Sequence, residues 1–373
     1  MKKFIFKTAL FLIVLSLFIL PPFLILKSSG ENFIDLKDVI KKNNDFLIGY
    51  AYNENNYGYL KWLSINENKK HQILALGSSR VLQFRKNMFQ SSFYNAGHTI
   101  NTVGDFKSFL KGITIDKYPK YLIIGLDQWM FNVNYNNGMV AGKPKYYWSN
   151  NFSQYPRPDT YLSVYKSLFK GKFGIDIIKN SSSNKIGLNA LLNNKGFRND
   201  GSVYYGSQIS KLINRDISAN DFKFNNTFSR IKNGNRRFEY SEKVNDLAVD
   251  ELHNLLSFCK KNNINVVAFT PPFANSVYYK MISSNKYLYI DSLESKLQKV
   301  FNEYNYEFYN YSSAELLGSN DDEFIDGFHG SEVVYAKILI DMLKKHSILN
   351  EVTEIDKLYN DIEFKINRFT LYK

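Results

Sequence analysis

Three side chains from opposite ends of the chain have the types of an activated serine: Ser79, and Asp326 with His329. A serine hydroxyl is a weak nucleophile until a base takes its proton, and imidazole titrates in the right range for that task. Asp326 stands three residues before His329, so in a tight loop its carboxylate can reach the other ring nitrogen and fix the tautomer. The tetrahedral intermediate of acyl transfer then needs preorganised N–H donors, each worth about 3 kcal/mol of barrier. Ser79 lies in Gly77-Ser78-Ser79-Arg80, directly after the apolar run 72–76. By itself a Gly-Ser-Ser sequence marks a turn, and Asp326-Gly-Phe-His329 alone would be a capping loop before a helix. Chemistry is suggested by their joint presence. No His, Cys and carboxylate grouping has metal-ligand spacing, which predicts neither a metal nor a cofactor.

These residues need a scaffold. A short apolar run closed by glycine reads as a buried strand entering a loop, and in open α/β sheets catalytic groups collect at the carboxyl ends of strands. Residues 81–88 are expected to start a helix whose first N–H groups face a ligand at the serines. A second strand is expected over 92–97, ending in Asn95-Ala-Gly97, then an amphipathic helix over 102–115. A third strand over 118–127 closes on Gly125-Leu-Asp127. Later come a helix over 246–261, a strand over 263–270 stopped by Pro271 and Pro272, a helix over 292–304 and a last strand over 307–311. Asp326 to His329 falls in the loop after it, ahead of a helix starting at Ser331 or Glu332. This alternation predicts an α/β fold with a doubly wound parallel sheet.

Between 131 and 244 the pattern breaks down, and tyrosines are scattered among Asn, Ser, Gly and Lys. That stretch reads as an irregular insertion or cap, with Tyr146, Tyr147, Trp148 and Tyr240 as surfaces on which sugars could stack. The expected division is 1–27 cytoplasmic tip and anchor, 28–70 membrane-proximal connector, 71–349 α/β domain and 350–373 tail without assigned role.

Lys2, Lys3 and Lys7 precede the uncharged run 8–26, which is about long enough to cross a bilayer as a helix. Lysines on that side predict a cytoplasmic tip and a chain otherwise outside the cell membrane. The poor cleavage site after it favours a retained single-pass signal anchor over a removed signal peptide. The formal charge of +13 comes without a nucleic-acid motif, so the electrostatic partner is an anionic envelope polymer or membrane surface, or else the surface is simply basic and solvated. Cys259, the sole cysteine, permits no internal disulfide and is expected to be a buried thiol. His71, His253 and His346 read as surface residues, and His98 as a turn histidine.

The serine turn, Asn95-Ala-Gly97, Gly125-Leu-Asp127 and Asp326-x-x-His329 together resemble the SGNH (GDSL-type) hydrolase superfamily. The resemblance implies a flavodoxin-like sheet, with Ser79 as nucleophile, His329 as base and Asp326 orienting it. With Thr270-Pro-Pro272 and the N-terminal anchor, it is closest to the branch of the D-alanine transfer protein of lipoteichoic-acid synthesis and of anchored exopolysaccharide acyltransferases. Two positions depart from the pattern. Asp127 stands where the family places an asparagine, and an ionised carboxylate cannot donate to an oxyanion. The expected donors are therefore the N–H groups of Ser79 and Gly97, with Asn95 helping. Arg80 could bind an anionic substrate group or pair with Asp127.

The resemblance implies a membrane-anchored serine acyltransferase or acylesterase acting on a cell-envelope glycan or polyol-phosphate polymer, with a membrane-bound acyltransferase as a possible supplier of acyl groups. Asp127 favours the competing expectation: a catalytically silent binding or assembly protein on the same fold.

Overall fold

The computed structural model describes residues 1–31, 34–41, 45–54, 57–140, 158–179 and 184–372. The chain forms two compact units, one of 57–148, 200–202 and 208–373, the other of 1–56, 149–199 and 203–207.

At the centre of the larger unit is a five-stranded sheet. Its strands are β1 (Ile73–Gly77), β2 (Phe93–Gly97), β3 (Tyr121–Gly125), β4 (Asn265–Thr270) and β5 (Glu307–Asn310). All neighbours are parallel, in the order β2-β1-β3-β4-β5, with Ala75 opposite Asn95 and Ile123, and Ile123 opposite Val267. Every residue of β1, β2 and β3 is buried. Successive side chains point to opposite faces, so both faces of the sheet are covered, as the apolar runs Ile73-Leu-Ala-Leu76 and Leu122-Ile-Ile124 require.

Helices Val103–Lys111, Asp246–Lys261 and Tyr289–Tyr304 pack in sequence beside the sheet. Asn245 caps the second of these, its side chain accepting from the Leu247 N–H at 3.1 Å. Helix Glu332–Lys344 sends Tyr335 against Phe269 of β4 and Phe84. The chain end is not a tail. Helix Ile355–Glu363 follows, and Leu358 and Leu371 are buried in the same core as the sheet. Residues 57–67, assigned to the connector by the sequence, instead form helix Tyr57–Glu67 and belong to this unit.

The expected helix over 81–88 is not formed. The chain instead makes two 3₁₀ turns, Ser79–Val81 and Lys86–Met88. Asn95 explains the break: its side-chain amide takes the carbonyls of Val81 and Phe84 at 2.8 and 3.0 Å, which a continuing α-helix would use internally.

In the smaller unit, helix Lys2–Ser29 contains an 18-residue window of mean hydropathy 2.8, long and apolar enough to cross a membrane. Its apolar side chains up to Leu20 are exposed, whereas Ile25 and Leu26 are buried with Val164, Ile177 and Leu188. Glu31 closes the helix end by accepting from the N–H groups of Ala51, Tyr52 and Leu188 at 2.6, 2.6 and 2.9 Å. A small four-stranded sheet runs Lys185–Ile186, Leu47–Ile48, Gly196–Phe197, Val203–Tyr204. The stretch 131–244 is thus not one insertion: 149–199 and 203–207 fold with the N-terminal segment, and the rest with the main sheet.

Candidate active site

Three strands end in glycine because of one valine. A Cβ on Gly77 would lie 2.8 Å from Val81 Cγ1, one on Gly97 2.7 Å from Val81 Cγ2, and one on Gly125 closer still to Val81. The turn after β1 can drop onto the sheet only where its neighbours have no side chain. This seats Ser78 and Ser79 at the carboxyl ends of β1, β2 and β3.

The two serines differ sharply. Ser78 is buried, and its Oγ accepts from the Arg80 N–H at 3.2 Å, capping the 3₁₀ turn. Ser79 is half-buried, and its Oγ lies 2.8 Å from His329 Nε2. On the other side of the ring, His329 Nδ1 lies 2.7 and 2.9 Å from the two Asp326 carboxylate oxygens. Asp326 Oδ1 also accepts from the N–H groups of Phe328 and His329 at 3.0 and 2.9 Å, so the loop wraps around its own carboxylate. A short antiparallel pair, Phe324–Asp326 with His329–Gly330, holds that loop. Burial pushes the Asp326 carboxyl up, but His329 and the two N–H groups outweigh it and hold the group below its ordinary value.

Arg80 is turned inward. Its guanidinium donates to the Phe328 carbonyl at 2.9 Å, Gln128 Oε1 at 2.8 Å and the Pro271 carbonyl at 2.6 Å. It also lies 3.4 Å from Asp127 Oδ1 and is sandwiched by the rings of Phe273 and Trp129, at 4.4 and 5.0 Å. At 1% exposure it has no face left for a substrate anion. Of the two roles open to Arg80, the geometry is that of pairing with Asp127.

The expected oxyanion donors divide. The Gly97 N–H donates to Asn95 Oδ1 at 2.9 Å, and the Asn95 amide is fully buried on backbone carbonyls. Neither can also serve an oxyanion; the correction follows from Asn95 folding back onto the turn. Among the described residues the Ser79 N–H has no partner and remains available. Asp127 is fully buried, and its Oδ2 has no hydrogen-bond partner. Burial pushes its carboxyl up, and Arg80, the Ser78 hydroxyl, Arg237 and His329 offset only part of that.

Several residues around the site had no sequence signal. Gln128 Nε2 links the Pro271 carbonyl and Ser312 Oγ at 3.0 and 2.9 Å. Asp221 Oδ2 accepts from the Gly327 N–H at 3.2 Å, 106 positions away. The guanidinium of Arg230 lies 5.6 Å from the Phe328 ring, and that of Arg237 5.3 Å from the Trp129 ring. Phe328 in turn packs on His329 at 4.5 Å.

Of the aromatic residues expected to stack sugars, Tyr146, Tyr147 and Trp148 lie outside the described residues. The Tyr240 hydroxyl donates to the carbonyls of Ile231 and Lys232, and its ring packs on Tyr287. His98 is exposed in left-handed backbone, its N–H on the Ser78 carbonyl at 3.0 Å. His71, expected at the surface, is largely covered beside Tyr94; burial, with Lys117 adding, lowers its imidazole to about 4. Cys259 is buried.

No family model matches the chain, and no curated protein or solved structure is significantly similar to it.

Proposed function

We propose that the chain is a membrane-anchored serine acyltransferase or acylesterase of SGNH type, acting outside the cell on an envelope glycan or polyol-phosphate polymer. The observation that carries this is the relay Ser79 Oγ–His329 Nε2 at 2.8 Å with Asp326 on Nδ1. In the proposed reaction His329 takes the Ser79 proton as Oγ attacks the acyl carbonyl. The Ser79 N–H faces the developing oxyanion. Collapse expels the leaving oxygen, which His329 protonates, and leaves acyl-Ser79. A polymer hydroxyl or water, deprotonated by His329, then takes the acyl group.

Three further features support the assignment. The strand order 2-1-3-4-5 is that of flavodoxin-like doubly wound sheets. The last turns of the N-terminal helix are part of the core of the smaller unit, which suits a retained anchor better than a removed leader. Arg230 and Arg237 bring positive charge to the aromatic cluster beside His329, in keeping with an anionic polymer.

A second reading keeps the fold and drops the catalysis. It is favoured by Asp127 at the expected donor position and by the engagement of Gly97 and Asn95. Fluorophosphonate labelling separates the two: the enzyme incorporates the probe at Ser79, and the silent protein does not. Transfer is distinguished from hydrolysis by supplying an activated ester with and without native polymer and following the acyl group by mass spectrometry. Free acid as the sole product under both conditions leaves esterase as the assignment. External protease on spheroplasts is expected to digest the chain beyond about residue 28, as the lysine bias requires.

A further inference from the structure

Beside the Asp326–His329 loop the larger unit holds a cavity of about 370 Å³. Arg215, Lys223 and Arg368 line it together with the rings of Phe222, Phe224 and Phe369. Its size is that of a small-molecule site. Asp221 forms part of the wall, and the same carboxylate holds the Gly327 N–H.

The charges in this wall are not equivalent. The acids already have partners. Asp221 accepts from the N–H groups of Asn226, Thr227 and Gly327 and from the Thr227 hydroxyl. Asp321 accepts from the Ser276 N–H at 3.2 Å, and Asp322 lies 3.6 Å from Arg368. Among the described residues, by contrast, no carboxylate pairs with Arg215 or Lys223. Arg368 is already engaged, donating to the Leu212 carbonyl at 2.8 Å beside Asp322. What the cavity offers is therefore cationic donor capacity next to aromatic rings.

The backbone of this wall is also held in an uncommon form. Asp221, Lys223 and Phe224 have φ of 56°, 51° and 58°. Left-handed backbone is unusual for lysine and phenylalanine, and such geometry clusters at ligand clamps.

We propose that this cavity is a subsite for an anionic, hydroxyl-rich repeat unit of the polymer. Its phosphate or carboxylate would sit on Arg215 and Lys223 through charge-assisted hydrogen bonds, and its apolar face on Phe222. Occupancy braces Asp221, and through Gly327 the loop that carries His329. The role as an acceptor subsite rests on the proposed acyl-transfer function; the anion binding does not.

The test is calorimetric titration of the full chain in detergent micelles with oligomeric polyglycerol phosphate, oligogalacturonate and a neutral dextrin, at low and high salt. At least one anionic oligomer is expected to bind and the dextrin is not, with affinity falling as salt rises. The tighter of the two anionic ligands identifies phosphate or carboxylate. Arg215→Ala with Lys223→Ala is expected to weaken binding about tenfold or more, and Arg215→Lys to retain most of it. Equal binding of neutral and anionic oligomers, or unchanged affinity in the double variant, overturns the proposal. Ser79→Ala is expected to bind as the unsubstituted chain does. Anion binding without fluorophosphonate labelling of Ser79 would support the cavity and sink the hydrolase assignment, whereas labelling without anion binding would do the reverse.

Discussion

The residue after Ser79 holds the residue before His329: Arg80 Nε donates to the Phe328 carbonyl at 2.9 Å. The serine turn and the histidine loop are 248 positions apart in the chain, and this buried guanidinium joins them. It joins them to the Pro271 carbonyl at the end of β4 as well. The Ser79–His329 distance is thus set by a fork of hydrogen bonds beneath the site as well as by the two residues themselves.

Replacing Arg80 by methionine would strand Asp127, Gln128 Oε1 and the Phe328 carbonyl in the interior, while the Pro271 carbonyl keeps the Gln128 amide. Breaking a buried pair by removing one partner typically costs about 3–5 kcal/mol. Urea unfolding of Arg80→Met is expected to show a loss of that order, and Arg80→Lys a smaller one, because an ammonium keeps the charge but lacks the planar fork. A loss below about 1 kcal/mol in the methionine variant would mean that the clamp contributes little.

Ser79→Ala is expected to reduce turnover of p-nitrophenyl acetate by roughly a thousandfold or more, as loss of a nucleophile from a working relay does. Ser78→Ala removes the cap on the Arg80 N–H and the hydroxyl beside Asp127, and should leave measurable activity, with a stability loss of about 1 kcal/mol. The reverse ranking would place the nucleophile at the wrong serine.

Gly125→Ala puts a methyl group into Val81. Overpacking of this kind costs about 1–3 kcal/mol, and Val81→Ala in the same chain should relieve most of it. Denaturation of the two single variants and the double variant gives the coupling directly. Additive losses would show that the glycine is not there to make room for the valine.

The Asp326 carboxyl is held below its ordinary value of 3.8, so it binds a proton less readily folded than unfolded. Its contribution to stability is therefore present in full above that ordinary value and is lost as pH falls through the lowered native one. Against Asp326→Asn, the unsubstituted chain should be more stable at pH 7, with the gap closing only in strong acid. A gap that widened on acidification would contradict the depressed value.

Periodicity made the strands legible. An apolar run of four or five residues closed by glycine, as in 73–77 and 121–125, or by prolines, as in 265–270, has few ways to satisfy its backbone except as a parallel strand, and all three formed where expected. The helices over 246–261 and 332–344 followed from their apolar stripes in the same way. Ser79, Asp326 and His329 could be singled out because their side-chain chemistry is unusual enough to be noticed at any separation.

What only the tertiary structure decided is how polar groups are used. Asn95 and Gly97 look like free donors in the sequence, but Asn95 folds back on Val81, Phe84 and Gly97, ending the expected helix and removing two oxyanion candidates. In the sequence Arg80 is open to a substrate anion or to Asp127, and only the fold, which closes the Phe328 and Pro271 carbonyls over it, chooses between them. Asp221 carries no local signal at all. A buried hydrogen bond is chosen by whichever partner the fold brings within about 3 Å, and that choice has no period along the chain. The same reason divides 131–244 between two units: scattered tyrosines and asparagines have no stripe, so only their packing partners assign them.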